Sequence, residues 1–213
     1  MLLYLFVLKK QHYAQQLPVY YPKGIKKTLV DGKEKTDSLY HTIPPFRFIN
    51  QDGDTVTEKN FNAKIYVADF FFTTCPTICP KMMSQMSRVN LAEQNKNDFL
   101  ILSHSVNPEN DSVAVLAEYA MRIHADAKKW MIVTGKKKDI YDIAMDGYKL
   151  PLSEDPREPG GFLHSSLFVL VDKEKRIRGY YDGTDSTDVN KLITDIHILY
   201  SEFSENPASP KTH

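Results

Sequence analysis

The only two cysteines of the chain stand in Phe72-Thr73-Thr74-Cys75-Pro76-Thr77-Ile78-Cys79-Pro80. Their C-x-x-x-C spacing is one residue wider than the C-x-x-C of a redox loop. A thiolate, not a thiol, attacks disulfides and binds soft metals, and a helix N-terminus lowers the thiol pKa from about 8.5. Cys79 directly precedes Pro80, a residue suited to the first turn of a helix. Unpaired backbone N–H groups and the helix dipole there favour an anion. Two thiolates leave a soft metal under-coordinated, and sulfur with imidazole suits Cu(I) or zinc. Of the seven histidines, His12, His41 and His213 fall in the N-terminal arm or tail. His124 and His197 fall on predicted helices away from the turn, and His104 ends a strand and could point at the same edge. His164 follows the Gly160-Gly161 loop at the start of a strand. A third candidate, Asp69, lies six residues before Cys75 on an apolar run.

The elements that must hold these residues are legible. Lys64 to Phe72 is a β-prone run long enough for a buried central strand. Met82, Met83, Met86, Val89 and Leu91 recur at helical spacing and read as core packing. Phe99 to Ser103 and Trp130 to Thr134 read as strands, with a helix from Ser112 to Ile123 between them and a short one from Lys137 to Met145 after. Ser166 to Asp172 and Ile177 to Tyr181 read as a hairpin, followed by an amphipathic helix from Thr187 to Phe203. Phe46 to Asn50, a turn at Gln51-Asp52-Gly53-Asp54, and Thr55 to Thr57 make a first hairpin. Residues 11–45, rich in Pro and Gly, read as an irregular arm. The expected α/β class is a thioredoxin-like fold: a central mixed sheet flanked by helices, with an N-terminal hairpin extension. The order of elements supplies the helical crossovers that parallel strands require. In that order the junction before Ser166 faces the cysteine turn, which favours His164 as the third ligand. The domain limits expected are 1–42 for the arm, 43–203 for the folded domain and 204–213 for a disordered tail.

Composition narrows the function classes. Twenty-seven basic and 27 acidic residues cancel, so the basic excess of a nucleic-acid footprint is lacking. Two cysteines cannot form a disulfide framework. Met1 to Leu8 is apolar but far shorter than the ~20 residues of a membrane span; it suits a truncated anchor or signal remnant, an ordinary strand or helix, or a mis-assigned start.

The chain resembles the SCO/SenC family of copper-binding proteins that help assemble cytochrome c oxidase. The resemblance spans about residues 43 to 200 and rests on three stretches. They are the Phe72–Pro80 segment with proline after each cysteine, Val106-Asn107-Pro108-Glu109-Asn110-Asp111, and His164-Ser165 before a strand ending in Asp172. It implies that Cys75, Cys79 and His164 bind copper, Cu(I) or Cu(II), with loading gated by the redox state of the thiols. It further implies a copper-bearing oxidase subunit or another copper acceptor as partner, and a thiol reductant. The location implied is the extracytoplasmic (periplasmic) side of the cell envelope, with membrane anchoring through the N-terminus. Thr77 and Leu163 stand where the family often has aspartate.

The main alternative is a thiol-disulfide oxidoreductase acting through Cys75 and Cys79, with Asp69 as its proton handler. Against it stand the wider cysteine spacing and the lack of any proline from Gly160 to Asp172, where thioredoxins place a cis-proline. A peroxidase would need a Pro-x-x-x-Thr-x-x-Cys pattern, which is missing. A purely structural disulfide over so short a loop gains little chain entropy.

Overall fold

Seven consecutive residues, Ile65–Phe71, are buried without a break, as a strand covered on both faces must be. The computed structural model describes residues 16–30, 33–151, 153–154, 162–163 and 165–205. The Met1 to Leu8 run, His12, Gly160-Gly161, His164 and the tail beyond Glu205 lie outside the described residues.

In chain order the elements are β1 (Pro22–Val30), β2 (Lys33–Tyr40), β3 (Arg47–Asn50), β4 (Thr55–Thr57), a 3-10 turn (Glu58–Phe61) and β5 (Ile65–Phe71). There follow α1 (Ile78–Ala92), β6 (Phe99–Ser105), α2 (Val113–Ile123), β7 (Trp130–Thr134) and α3 (Lys137–Asp142), which runs into a π turn (Ile143–Gly147). The last are β8 (Ser153–Glu154), β9 (Phe162–Leu163), β10 (Leu167–Val171), β11 (Ile177–Asp182) and α4 (Ser186–Glu205). The main sheet has the order β11-β10-β5-β6-β7-β3-β4. Its centre, β5-β6-β7, is parallel, and β10 and β3 join it antiparallel.

The period-2 geometry of strands divides the core in two. Phe71 faces Tyr119 of α2, and Tyr181 donates to Asp195 of α4 at 2.7 Å. On the opposite face Phe70 meets Tyr148, just past the π turn, and Tyr66 meets Phe61. Helices α1, α2 and α4 therefore cover one face, and α3 with its π turn covers the other. Each parallel crossover returns the chain so that β5, β6 and β7 end at one sheet edge. That edge carries the cysteine turn.

Two differences from the sequence expectation have physical reasons. Residues 22–40, expected to be irregular, form the antiparallel hairpin β1–β2. Ile25 and Leu29 stay exposed on it, so no apolar face announces the strands. The helix expected through Met145 is α-helical only to Asp142 and widens into the π turn, whose Gly147 carbonyl lies 2.7 Å from Nε2 of His41. Lys149 then takes a left-handed φ of 59° and directs the chain toward β8 and β9.

The arm before β1 is tied to the domain by charge as well as by packing. Arg178, buried in β11, donates to the carbonyls of Leu17 and Pro18 and bridges Asp172 and Glu202 at 3.0 and 2.6 Å. Glu202 also accepts the Leu17 N–H at 2.6 Å. A buried guanidinium needs such complete pairing to offset its desolvation.

Candidate metal centre at the β5–α1 turn

The strand β5 ends at Phe71, and seven residues later α1 begins at Ile78. The first-turn donors of a helix need a cap. Thr77, in the cap position, makes no side-chain capping bond. The Cys75 sulfur takes that role instead: the backbone N–H groups of Cys79 and Thr77 donate to it. The Thr77 hydroxyl lies 3.8 Å away, and the Cys79 thiol also meets it.

The two sulfurs are therefore in contact, not joined by a disulfide. They differ in acidity. Burial works to raise the Cys75 thiol, but the backbone donors of Cys79 and Thr77 and the two side-chain donors outweigh it and hold the thiol below its ordinary range. Cys79, packed deeper, is pushed well up by burial; the Phe72 N–H opposes this, and the neighbouring Cys75 and Asp69 charges add to it. Such a pair loses its first proton readily at Cys75. A second negative charge beside it needs a cation, which a soft metal ion supplies.

The loop that carries Cys75 is held from outside by Asp111. This carboxylate is fully buried. It accepts the Thr73 N–H at 3.1 Å, the Thr73 hydroxyl at 2.5 Å and the Ser105 hydroxyl at 2.5 Å. Ser105 in turn accepts the Asn107 N–H at 3.2 Å. The Val106 to Asp111 stretch thus clamps the start of the cysteine loop. Its motif is visible in the sequence, but its contact with Thr73 depends on β5 and β6 lying side by side. Asp111→Asn replaces one acceptor oxygen by a donor facing donors. It is expected to cost about 2–3 kcal/mol of stability and to weaken Cu(I) binding through the loosened cysteine loop, read by urea unfolding and a Cu(I) competition titration.

Asp69 is fully buried on β5. In the parallel register it sits beside Ser103, whose hydroxyl donates to Asp69 Oδ1 at 2.5 Å. The Trp130 indole donates to that hydroxyl at 2.9 Å. Asp69 Oδ2 has no partner among the described residues. Burial pushes the carboxyl up to about 7, against the lowering effect of the Ser103 hydroxyl.

The other histidines sort clearly. His104 does not point at the cysteine edge. It pairs in register with Phe70, on the opposite side of the sheet from Asp69 and Ser103. There it stacks on Phe70 at 4.5 Å between ring centroids and is enclosed by Phe48 and Tyr148. Burial lowers its pKa to about 4. His197 bonds Glu93 at 2.8 Å. His124, expected to lie away from the turn, ends α2 and lines the same cleft as Cys75.

His164 is outside the described residues, but its flanks are not. The pairing Val169↔Ala68 sets the start of β10 beside the end of β5. Asp182 accepts the Ser166 hydroxyl and lies within electrostatic reach of Lys81, two residues past Cys79. Among the described residues, no cluster of three or more His, Cys, Asp or Glu side chains is assembled around a metal-sized site.

Residues 34–200 match the SCO1/SenC family. A solved SCO1/SenC family lipoprotein from Bacillus anthracis is similar, at 30% identity and a TM-score of 0.67, covering 75% of this chain and 95% of that one. BsSco, described as a Sco-family cytochrome c oxidase assembly protein with a disulfide switch, is 30% identical with a TM-score of 0.66, over 75% and 93%. Arabidopsis thaliana ScoI, solved with copper bound, is 28% identical with a TM-score of 0.63, over 76% and 99%.

Proposed function

The chain belongs to the SCO1/SenC family, and from that premise we propose that it carries copper for the assembly of cytochrome c oxidase, with Cys75, Cys79 and His164 as its ligands. The observation that carries this reading is the thiol pair on one helix start, in contact and with Cys75 disposed to ionise. The likeness to ScoI with copper bound supports copper as the cargo. The likeness to BsSco supports the oxidase-assembly setting.

His164 enters as the third ligand on the support of Ser166, two residues after it, which bonds Asp182, itself within electrostatic reach of Lys81 in α1. An imidazole beside two thiolates suits both oxidation states of copper. The thiols bind the ion as thiolates and release their protons on loading. Their oxidation to a disulfide removes two electrons and both donors, so the redox state of the pair gates loading. The acceptor is the copper-bearing oxidase subunit or another copper-binding protein, and a thiol reductant resets the pair.

A thiol-disulfide exchange role is the second reading. It is favoured by one observation, the buried Asp69 carboxyl with its unpartnered oxygen within electrostatic reach of Cys79. The extracytoplasmic face of the cell envelope is the location that the lipoprotein relative supports. Among the described residues no helix is long and apolar enough to cross a membrane.

Anaerobic copper titration of the reduced chain tests the proposal. One tightly held copper per chain is expected. His164→Ala should weaken Cu(II) far more than Cu(I), because two thiolates still hold Cu(I). Equal losses for both oxidation states would remove His164 from the site. Disulfide exchange without stoichiometric copper would favour the second reading.

A further inference from the structure

A cleft of about 530 Å³ opens at Cys75 and runs between α1 and α2. That volume lies within the range of ligand-binding clefts. Met83 and Tyr119, 2% and 7% exposed, form apolar wall along it, and the Ser84 hydroxyl borders it. Its rim carries the exposed Arg122 guanidinium and the exposed His124 imidazole, and among the described residues none of those lining it is acidic. The Arg122 guanidinium lies over the Tyr119 ring, 4.8 Å from its centroid. Among the described residues it forms no ion pair with a carboxylate. The chain as a whole is neutral, and the positive charge at this rim is that of Arg122.

A copper ion held at Cys75 passes to an acceptor only when a donor atom of that acceptor reaches the same ion. The cleft gives a chain segment a bed that leads to that sulfur, with a cation over an aromatic ring to fix its register. We propose that the α1–α2 cleft seats an extended, acidic segment of the copper acceptor. A carboxylate of that segment pairs with Arg122, and a cysteine or methionine a few residues away meets the ion at Cys75. This rests on the reading of Cys75 as a copper ligand. The guanidinium is pre-positioned by the ring beneath it, so pairing orders little that is not already ordered.

The test uses two fluorescent heptapeptides with one methionine and, three residues from it, either glutamate or lysine. Binding to the reduced, copper-loaded chain is read by anisotropy. The glutamate peptide should bind roughly tenfold tighter than the lysine peptide, since attraction is gained and repulsion avoided. The preference should shrink as salt rises. Arg122→Glu should invert it while the chain still takes up one copper, because Arg122 is exposed and touches no proposed ligand. Equal binding of the two peptides, or a preference that survives Arg122→Glu, overturns the docking assignment. Failure of the unsubstituted chain to bind copper strikes the ligand reading of Cys75 instead, and the charge preference of the cleft is judged separately.

Discussion

Replacing either Cys75 or Cys79 with Ser will lower the Cu(I) affinity of the reduced protein by far more than ~100-fold, the upper range for loss of an outer-sphere partner. A serine hydroxyl does not ionise near neutral pH and is a hard donor, so the soft ion keeps one thiolate where it had two. The two variants should differ in a second respect. Cys75→Ser also removes the sulfur that accepts the Cys79 and Thr77 N–H groups. A serine oxygen can still accept from these groups, though on a shorter bond, so the loss of stability should be small while copper is lost. Cys79→Ser places a hydroxyl in an almost fully buried position and should be the less stable of the two. The measurement is competition of each reduced variant against a Cu(I) chelator, beside urea unfolding. Retention of stoichiometric copper by both variants would show that the thiols are not the site.

Asp69→Asn should stabilise the protein by roughly 4 kcal/mol above neutral pH and by almost nothing near pH 4. The sign follows from where the carboxyl titrates. In the folded chain burial moves it from 3.8 to about 7, and each tenfold in proton affinity is about 1.4 kcal/mol. A group with a raised folded pKa contributes stability that is complete below 3.8 and is lost as pH rises through about 7. Asparagine keeps the Ser103 bond and never ionises, so the loss is absent in the variant. His104 acts the other way: its folded pKa, lowered to about 4, removes stability as pH falls from the ordinary 6.5. That contribution is common to both proteins and cancels in their difference. Urea midpoints of the reduced proteins at pH 4, 6 and 8.5 decide the matter. A difference that does not vary with pH would mean that Asp69 is ionised throughout or acts only by packing.

Much of the fold was legible because the strands are covered on both faces. Ile65–Phe71, Phe99–Ser105 and Trp130–Thr134 are buried at every residue, and their apolar stretches (Ile65–Ala68, Phe99–Leu102 and Trp130–Val133) mark them in the sequence, whereas the buried polar Asp69, His104 and Ser105 carry no such local signal. The β1–β2 hairpin was not legible. Both its faces meet solvent, so its hydrophobic pattern is no different from that of a loop. The thiol pair was legible because both of its members lie within one turn of sequence.

The partners of the site are another matter. Asp69 with Ser103 and Trp130, Thr73 with Asp111, and Cys75 with His124 are separated by tens of residues. Only the parallel register of β5, β6 and β7 and the packing of α2 beside α1 bring them together. The sequence by itself determined which side chains can bind a soft ion and on which turn they lie, because residue type and local spacing set that chemistry. The tertiary structure alone decided which thiol ionises first, which carboxylate is raised and which histidine faces away. Those outcomes depend on burial and on donors supplied by distant strands, and no local spacing encodes either.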